Sequence, residues 1–460
     1  MDRTDPLAGT LPLSVGQEGL WLLHTLHPES TTYNLAGGGR ITPAPDLAAL
    51  DRAWRALLAR HPMLRSRYTE VAGRPRRVVD APEEAAQIAV VEVPDATEEE
   101  LRRRVNAEVR APFRLQDEGA VRATLLLRRT DALLVVVTHH IATDAISQWL
   151  LWRDLFAAYE AEIAGRAPDW QPITHDYDEF VGRERTLLDS PRGTGQGEFW
   201  RAECEGSTPA ELPTDRPRPA VSSHTGASLV RRLPDALAQA VSKAAAERHV
   251  SPFALMVGAF QAMLHRCTGQ SDFLIACPAS TRRAAAADII GYFVNPVLIR
   301  ARFDRETTLR DAVDAAADRV RQATARVSYP FPLVAQGASG PLFRISVTMV
   351  ATDRFGHGMD GLVAGEKVTL AGHELAYVEI PHLEGQCDLA LEITRDAHGL
   401  TVALRYDTDL FEEATAQRLF DQFQRCVTAA VEAPDTRVAR VPLTDDTERD
   451  LLLALSGGQA

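Results

Sequence analysis

Apolar positions along the chain recur with two periods, one helical and one of strands. Over residues 46–61, Leu47, Leu50, Trp54, Leu57 and Leu58 fall at helical spacing, which predicts a helix with Asp46 as N-cap and Pro62 as stop. Residues 20–26 carry a similar stripe after the turn-prone stretch 12–17. Residues 121–128 and 132–138 read as strands. The run Leu133-Leu134-Val135-Val136-Val137 is apolar on both faces, which predicts a place in the middle of a sheet. A helix is expected next over 145–162, with Trp149, Leu150, Phe156 and Tyr159 on or near its inner face.

The periodicity breaks over 164–174, and the Pro-rich stretch 211–223 reads as an extended surface crossover. Beyond it come a strand over 228–233, a helix over 234–247, a helix over 251–267 with Ser251 as N-cap and Pro252 at its first turn, and a strand over 273–277. Strands and helices alternate through both halves. This predicts two α/β lobes, one over 1–174 and one over 175–460, and no fixed-period repeat interrupts them. A chain of 460 residues is also too long for one ordinary core.

Composition narrows the partners. A net charge of −13 argues against nucleic acid, which needs a basic surface. The five cysteines, Cys204, Cys267, Cys277, Cys387 and Cys426, are scattered and show no CxxC spacing, so neither a disulfide framework nor a zinc site is expected. The acidic N-terminus lacks the features of a signal peptide, and no run approaches a membrane span, so a soluble cytoplasmic protein is expected.

The central strand runs directly into Thr138-His139-His140, with Asp144 four residues on and Ser147 in the first turn of the next helix. Ligands bind at the strand ends of α/β sheets, and a neutral imidazole takes a proton at neutral pH. These residues also admit plainer readings: a hydrogen-bonded core histidine, with Asp144 as a simple N-cap. A zinc site lacks a clear third ligand, a serine hydrolase lacks its GxSxG elbow, and no phosphate-binding glycine loop is present.

The stretch His139-His140-Ile141-Ala142-Thr143-Asp144-Ala145-Ile146-Ser147 resembles the HHxxxDGxS motif of condensation domains of non-ribosomal peptide synthetases. The resemblance runs almost end to end. Pro12-Leu13-Ser14-x-x-Gln17-x-x-Leu20-Trp21 is similar to the family's opening motif, and Arg60-His61-Pro62-Met63-Leu64-Arg65 to its RHxxLR motif. Asp176-Tyr177-Asp178-Glu179-Phe180 resembles a degenerate third motif, and 212–219 the crossover into the second lobe. Ile290-Gly291-Tyr292-Phe293-Val294-Asn295 resembles IGxFVN, Tyr329-Pro330-Phe331-Pro332 the YPFE-type motif, and 388–391 and 406–411 the closing strands.

The resemblance implies two lobes, each like chloramphenicol acetyltransferase, set in a V, with the active site in a tunnel between them. It implies an enzyme, an acyltransferase that forms amide or ester bonds. An acyl or peptidyl carrier protein acts in trans and delivers its phosphopantetheine thioester to one mouth. A small-molecule or carrier-bound acceptor enters the other, and no covalently bound cofactor is expected. His140 becomes the catalytic histidine and His139 a structural one. Asp144 is expected to pair with an arginine of the second lobe, either Arg282 or the adjacent Arg283. Ala145 stands where the family has glycine, which implies a narrower channel, and Asn295 is expected to brace backbone between the lobes. The family's late-strand asparagine finds no counterpart in 346–352. The chain carries no carrier-protein serine motif or adenylation signature, so either a free-standing enzyme acting on carriers in trans or an excised module is expected, with the first favoured. The competing readings are an epimerisation domain of the same superfamily, a coenzyme A-dependent O-acyltransferase, and a recruitment module without chemistry.

Overall fold

The computed structural model describes residues 7, 9–220, 222–223, 225–351, 362, 366–378, 380, 387–396 and 399–444. Helix α1, Val15–Leu26, begins earlier than the apolar stripe indicates. Ser14 and Gln17 form a reciprocal capping box, so the stretch that reads as a turn is the helix's own start. Strand β1, Asn34–Thr42, comes next, and then α2, Leu47–Arg60, capped by Asp46, whose side chain accepts from the Ala49 N–H. Strands β2 (Ile88–Glu92), β3 (Val121–Leu127) and β4 (Ala132–His139) lead to α3, Ala145–Ile163, and α4, Tyr177–Leu188.

The second half adds β5 (Gly226–Arg232), α5 (Asp235–Glu247), α6 (Pro252–Thr268), β6 (Asp272–Ser280), β7 (Val294–Arg302) and β8 (Ile345–Ala351). It closes with β9 (Lys367–Leu370), β10 (His373–Val378), β11 (Leu389–Asp396) and β12 (Gly399–Asp407), then α7 (Glu413–Glu432).

Among the described residues the strands form two large mixed sheets. The first runs β9-β10-β1-β4-β3-β2, and the second β7-β6-β8-β11-β12-β5. Each sheet has its own buried apolar core. These are the two α/β lobes that the pattern of elements predicts. Strand β4 lies inside the first sheet between β1 and β3, and Leu133 to Val137 are all buried. Each such side chain contributes about 1.5–3 kcal/mol on burial, which makes the strand a stiff mount for the histidine loop at its end.

The lobes are not separate in sequence. The β9–β10 hairpin lies well past residue 175, yet β10 pairs antiparallel with β1, with Glu374 opposite Thr42 and Val378 opposite Gly38. Tyr177, Val181, Ile289, Ile290 and Phe293 likewise pack into the first lobe's core. The hairpin is held at its turn by His373, whose Nδ1 donates to the Pro43 carbonyl at 2.9 Å. No helix among the described residues is long and apolar enough to cross a membrane.

Candidate active site

The loop after β4 is pinned at nearly every residue. The His139 N–H donates to the Ala120 carbonyl at 2.9 Å and the His140 N–H to the Tyr33 carbonyl at 2.7 Å. The Gln17 side chain reaches from α1 to donate to the Ile141 carbonyl at 2.7 Å. Position 17 of the opening motif therefore supports the histidine loop directly.

The two histidines are neutral for the same reason and serve different ends. His139 is buried between the rings of His24, Tyr33 and Phe113. Its Nδ1 accepts from the Ile141 N–H at 3.1 Å, which closes the turn. Burial pushes its pKa down to about 3, with His24 and His140 adding in the same direction. His140 donates through Nδ1 to the Thr143 carbonyl at 2.7 Å. A carbonyl only accepts, so this bond fixes the Nδ1–H tautomer and leaves the lone pair on Nε2. No described residue hydrogen-bonds Nε2. Burial holds the ring's pKa below its ordinary 6.5, against the opposing pull of the Thr143 bond and the Asp144 charge. Tyr292 stands edge-on to the ring with centroids 5.4 Å apart.

Acid should therefore weaken the fold through these rings. A histidine whose folded pKa lies below its unfolded value contributes stability that is full above about pH 6.5 and is lost as pH falls. For His139 the loss extends to about pH 3. We expect His139→Asn to be less stable than wild type at pH 8 but to lose less Tm between pH 7 and pH 5. Parallel melting curves across that range check this, and an equal acid slope in both proteins contradicts it.

Asp144 and Ser147 form a bolt between the two halves of the chain. Asp144 Oδ1 caps α3 by accepting from the Ser147 N–H at 2.7 Å. The same carboxylate takes Arg282 Nη2 at 3.1 Å, and Oδ2 accepts from the Phe293 N–H at 3.1 Å. Both side chains of the ion pair are 6% exposed. Ser147 Oγ accepts from the Gly291 N–H at 3.0 Å and from Arg282 Nη2 at 2.9 Å, and donates to the Gly291 carbonyl at 2.8 Å. The Arg282 guanidinium lies over the Phe293 ring at 4.3 Å and donates to the Ala286 and Ile289 carbonyls. Arg283 is exposed and lines a cavity of about 340 Å³ beside Phe180, Glu184 and Ser328, so geometry separates the two neighbouring arginines.

Gly291 is required at this bolt for space. A Cβ there would sit 2.4 Å from Tyr177 Cδ2, and Tyr177 is buried with its hydroxyl donating to the Tyr292 carbonyl. Gly291→Ala should cost about 1–3 kcal/mol through overpacking. A lower Tm by scanning calorimetry checks it, and an unchanged Tm contradicts it.

Of the other expected residues, Ala145 is exposed at the first position of α3. Asn295 makes its bonds within the second half: its Nδ2 donates to the Val327 and Tyr329 carbonyls at 2.9 and 2.8 Å, and its Oδ1 accepts from the Phe331 N–H at 2.8 Å. The segment it holds meets the first lobe through Pro332, whose ring lies against Gly19 of α1. Thr348 on β8 donates to the Pro278 carbonyl at 3.5 Å, while Thr352 lies outside the described residues. Among the described residues no group of three or more His, Cys, Asp or Glu side chains is placed to hold a metal ion. Sequence reasoning missed Thr143, whose carbonyl is the partner of His140, Thr138 and Gln148, which are hydrogen-bonded to one another beside it, and Tyr33 and Tyr292, which flank the histidine rings.

Comparison with known proteins matches the condensation-domain family model to residues 7–453. A linear gramicidin synthase from Brevibacillus parabrevis is 31% identical over 96% of this chain and 9% of that protein. Phosphinothricin tripeptide synthetase PhsC of Streptomyces viridochromogenes is 32% identical over 96% of this chain and 41% of that protein. The chain thus spans less than half the length of these curated relatives. Among solved structures, the X-domain from teicoplanin biosynthesis, determined in complex with OxyB, superposes with a TM-score of 0.83 at 26% identity, covering 97% of this chain and 99% of that one. A four-domain non-ribosomal peptide synthetase bound to AMP and glycine superposes with a TM-score of 0.83 at 21% identity over 96% of this chain and 34% of that one, a likeness of fold.

Proposed function

The chain belongs to the condensation-domain family, and we propose that it transfers an acyl or aminoacyl group from the phosphopantetheine thioester of a carrier protein, supplied in trans, to an acceptor amine or hydroxyl. The observation that carries this reading is the state of His140: neutral, with Nδ1–H spent on the Thr143 carbonyl and the Nε2 lone pair uncommitted among the described residues. In this reading the acceptor's N–H or O–H hydrogen-bonds to Nε2. Its lone pair attacks the thioester carbonyl, and the proton passes to Nε2 as the tetrahedral intermediate forms. Collapse breaks the C–S bond, and the pantetheine thiolate leaves with the proton that the imidazolium returns. The product is an amide or an ester and a free thiol.

His139 and Asp144 take no part in the proton transfer; they hold the loop and the lobe junction that aim His140. The two lobes would bring donor and acceptor together in a tunnel between them, where proximity supplies up to about 7–11 kcal/mol of the barrier. We place the reaction in the cytoplasm. The competing reading is recruitment without chemistry, in a fold shared with the X-domain that was solved with OxyB. The uncommitted Nε2 favours chemistry.

A carrier-bound donor should outperform the same acyl group on coenzyme A or N-acetylcysteamine, because the small thioesters forfeit the protein–protein contact. Titrating each donor against one acceptor tests this. Equal kcat/KM values remove the carrier and point to a coenzyme A-dependent acyltransferase. Inversion of a carrier-bound residue without transfer points to the epimerisation branch. With a hydroxyl acceptor, which does not titrate in this range, the acid limb of kcat/KM should lie below pH 6.5, because burial lowers the pKa of the ring that must stay unprotonated. A limb at or above that pH contradicts the assignment.

A further inference from the structure

The carbonyl that fixes the His140 tautomer is itself held from the side. Thr143 Oγ1 lies 2.6 Å from Thr138 Oγ1, and both threonines are fully buried. Thr138 belongs to β4, where it stands opposite Leu35 of β1 and Val121 of β3, so its position is set by the sheet. Gln148 reaches down from the first turns of α3. Its Nε2 donates to Thr138 Oγ1 at 2.5 Å and approaches Thr143 Oγ1 at 3.4 Å. A continuous path therefore runs from helix to strand to loop and ends on the residue whose carbonyl receives the His140 Nδ1 hydrogen.

We infer that Gln148, acting through Thr138 and Thr143, is a positioning residue that sets the tautomer and ring direction of His140. Stability does not account for the amide. Its Oε1 is buried with no partner among the described residues, an arrangement that a methionine of the same length would avoid. What the amide supplies is direction: it ties the two hydroxyls, keeps the Thr143 carbonyl turned towards Nδ1, and so keeps the lone pair on Nε2. Weaken that tie and the carbonyl can swing away. The ring then loses its reason to carry the hydrogen on Nδ1, and the Nε2–H form, which cannot accept a proton at Nε2, gains population.

The effect on rate rests on the acyl-transfer reading above; the effect on the tautomer does not. The test uses the full chain with 15N-labelled histidine and reads the His140 ring nitrogens by long-range proton–nitrogen correlation, in wild type, Gln148→Met and Thr143→Val. Wild type should show the Nδ1–H form. Gln148→Met should show a mixture of both forms, with kcat lower by about 10-fold to 100-fold, the scale of loss when residues that orient a metal-bound histidine are removed. KM should stay within about twofold, as for a step felt mainly in the transition state. If Thr143→Val folds poorly, the half-buried position of Gln148 makes Gln148→Met the deciding variant. Retention of the Nδ1–H form together with wild-type kcat overturns the inference. A tautomer that shifts in a protein that transfers no acyl group from any donor leaves the inference standing and removes the acyl-transfer reading instead.

Discussion

His140→Ala should abolish condensation while leaving the melting temperature close to that of wild type. The ring makes one side-chain hydrogen bond, to the carbonyl of the buried Thr143, and its removal vacates a half-buried position at 140. The loop itself is held by its backbone bonds to Tyr33 and Ala120 and by Gln17, none of which needs the imidazole. A positioned general base contributes about 10²–10⁴-fold, so product measured by mass spectrometry with a loaded carrier should fall by at least about a hundredfold. A variant that keeps a tenth or more of the wild-type rate with unchanged melting removes His140 from the mechanism. His139→Ala should differ in kind, because it opens a cavity among His24, Tyr33 and Phe113 and should lower stability together with rate.

Asp144→Asn should have the largest effect on the fold. The asparagine can still cap α3 with its one carbonyl oxygen, so the loss falls on the charge and on the bond that Oδ2 accepts from the Phe293 N–H. What remains is Arg282, almost wholly buried, with its guanidinium facing Ser147 and the Ala286 and Ile289 carbonyls but no carboxylate. Removing one partner of such a pair costs about 3–5 kcal/mol, mostly because a buried charge is left uncompensated. Adding Arg282→Met should recover part of that loss, since the double variant buries no unpaired charge. The rate should fall in Asp144→Asn as well, because the bolt fixes α3 and the residues just before it. Thermal melts and carrier-dependent rates on the three variants form a cycle. An unchanged Tm in Asp144→Asn contradicts the role assigned to the pair.

Much of this was legible in the chain because the strongest signals were local. Leu133 to Val137 is apolar on both faces, which identified an inner strand, and the histidines come after it with no intervening turn. The caps Asp46 and Ser251 lie at the helix starts that their side chains satisfy. The rest was hidden where the physics is not local. The β9–β10 hairpin joins the first sheet from far along the chain, and its short alternating strands carry no mark of the lobe they will pair with. Arg282 and Arg283 are chemically the same in one loop, and only the direction of each side chain tells the bolt from the cavity wall. Ser147 and Gly291 read as a helix residue and a loop glycine until their hydrogen bonds join them. Thr138 and Thr143 read as ordinary strand and turn residues, because nothing in a single sequence reports that two hydroxyls meet.

The central claim is that an acceptor nucleophile, aided by His140, discharges a thioester from a carrier. Intact-protein mass spectrometry of an acylated carrier, incubated with this chain with and without acceptor, measures that step directly. The acyl mass should leave the carrier only when acceptor is present, with an equal amount of amide or ester formed. Discharge at the same rate without acceptor, yielding the free acid, or no discharge across a panel of loaded carriers and acceptors, contradicts it.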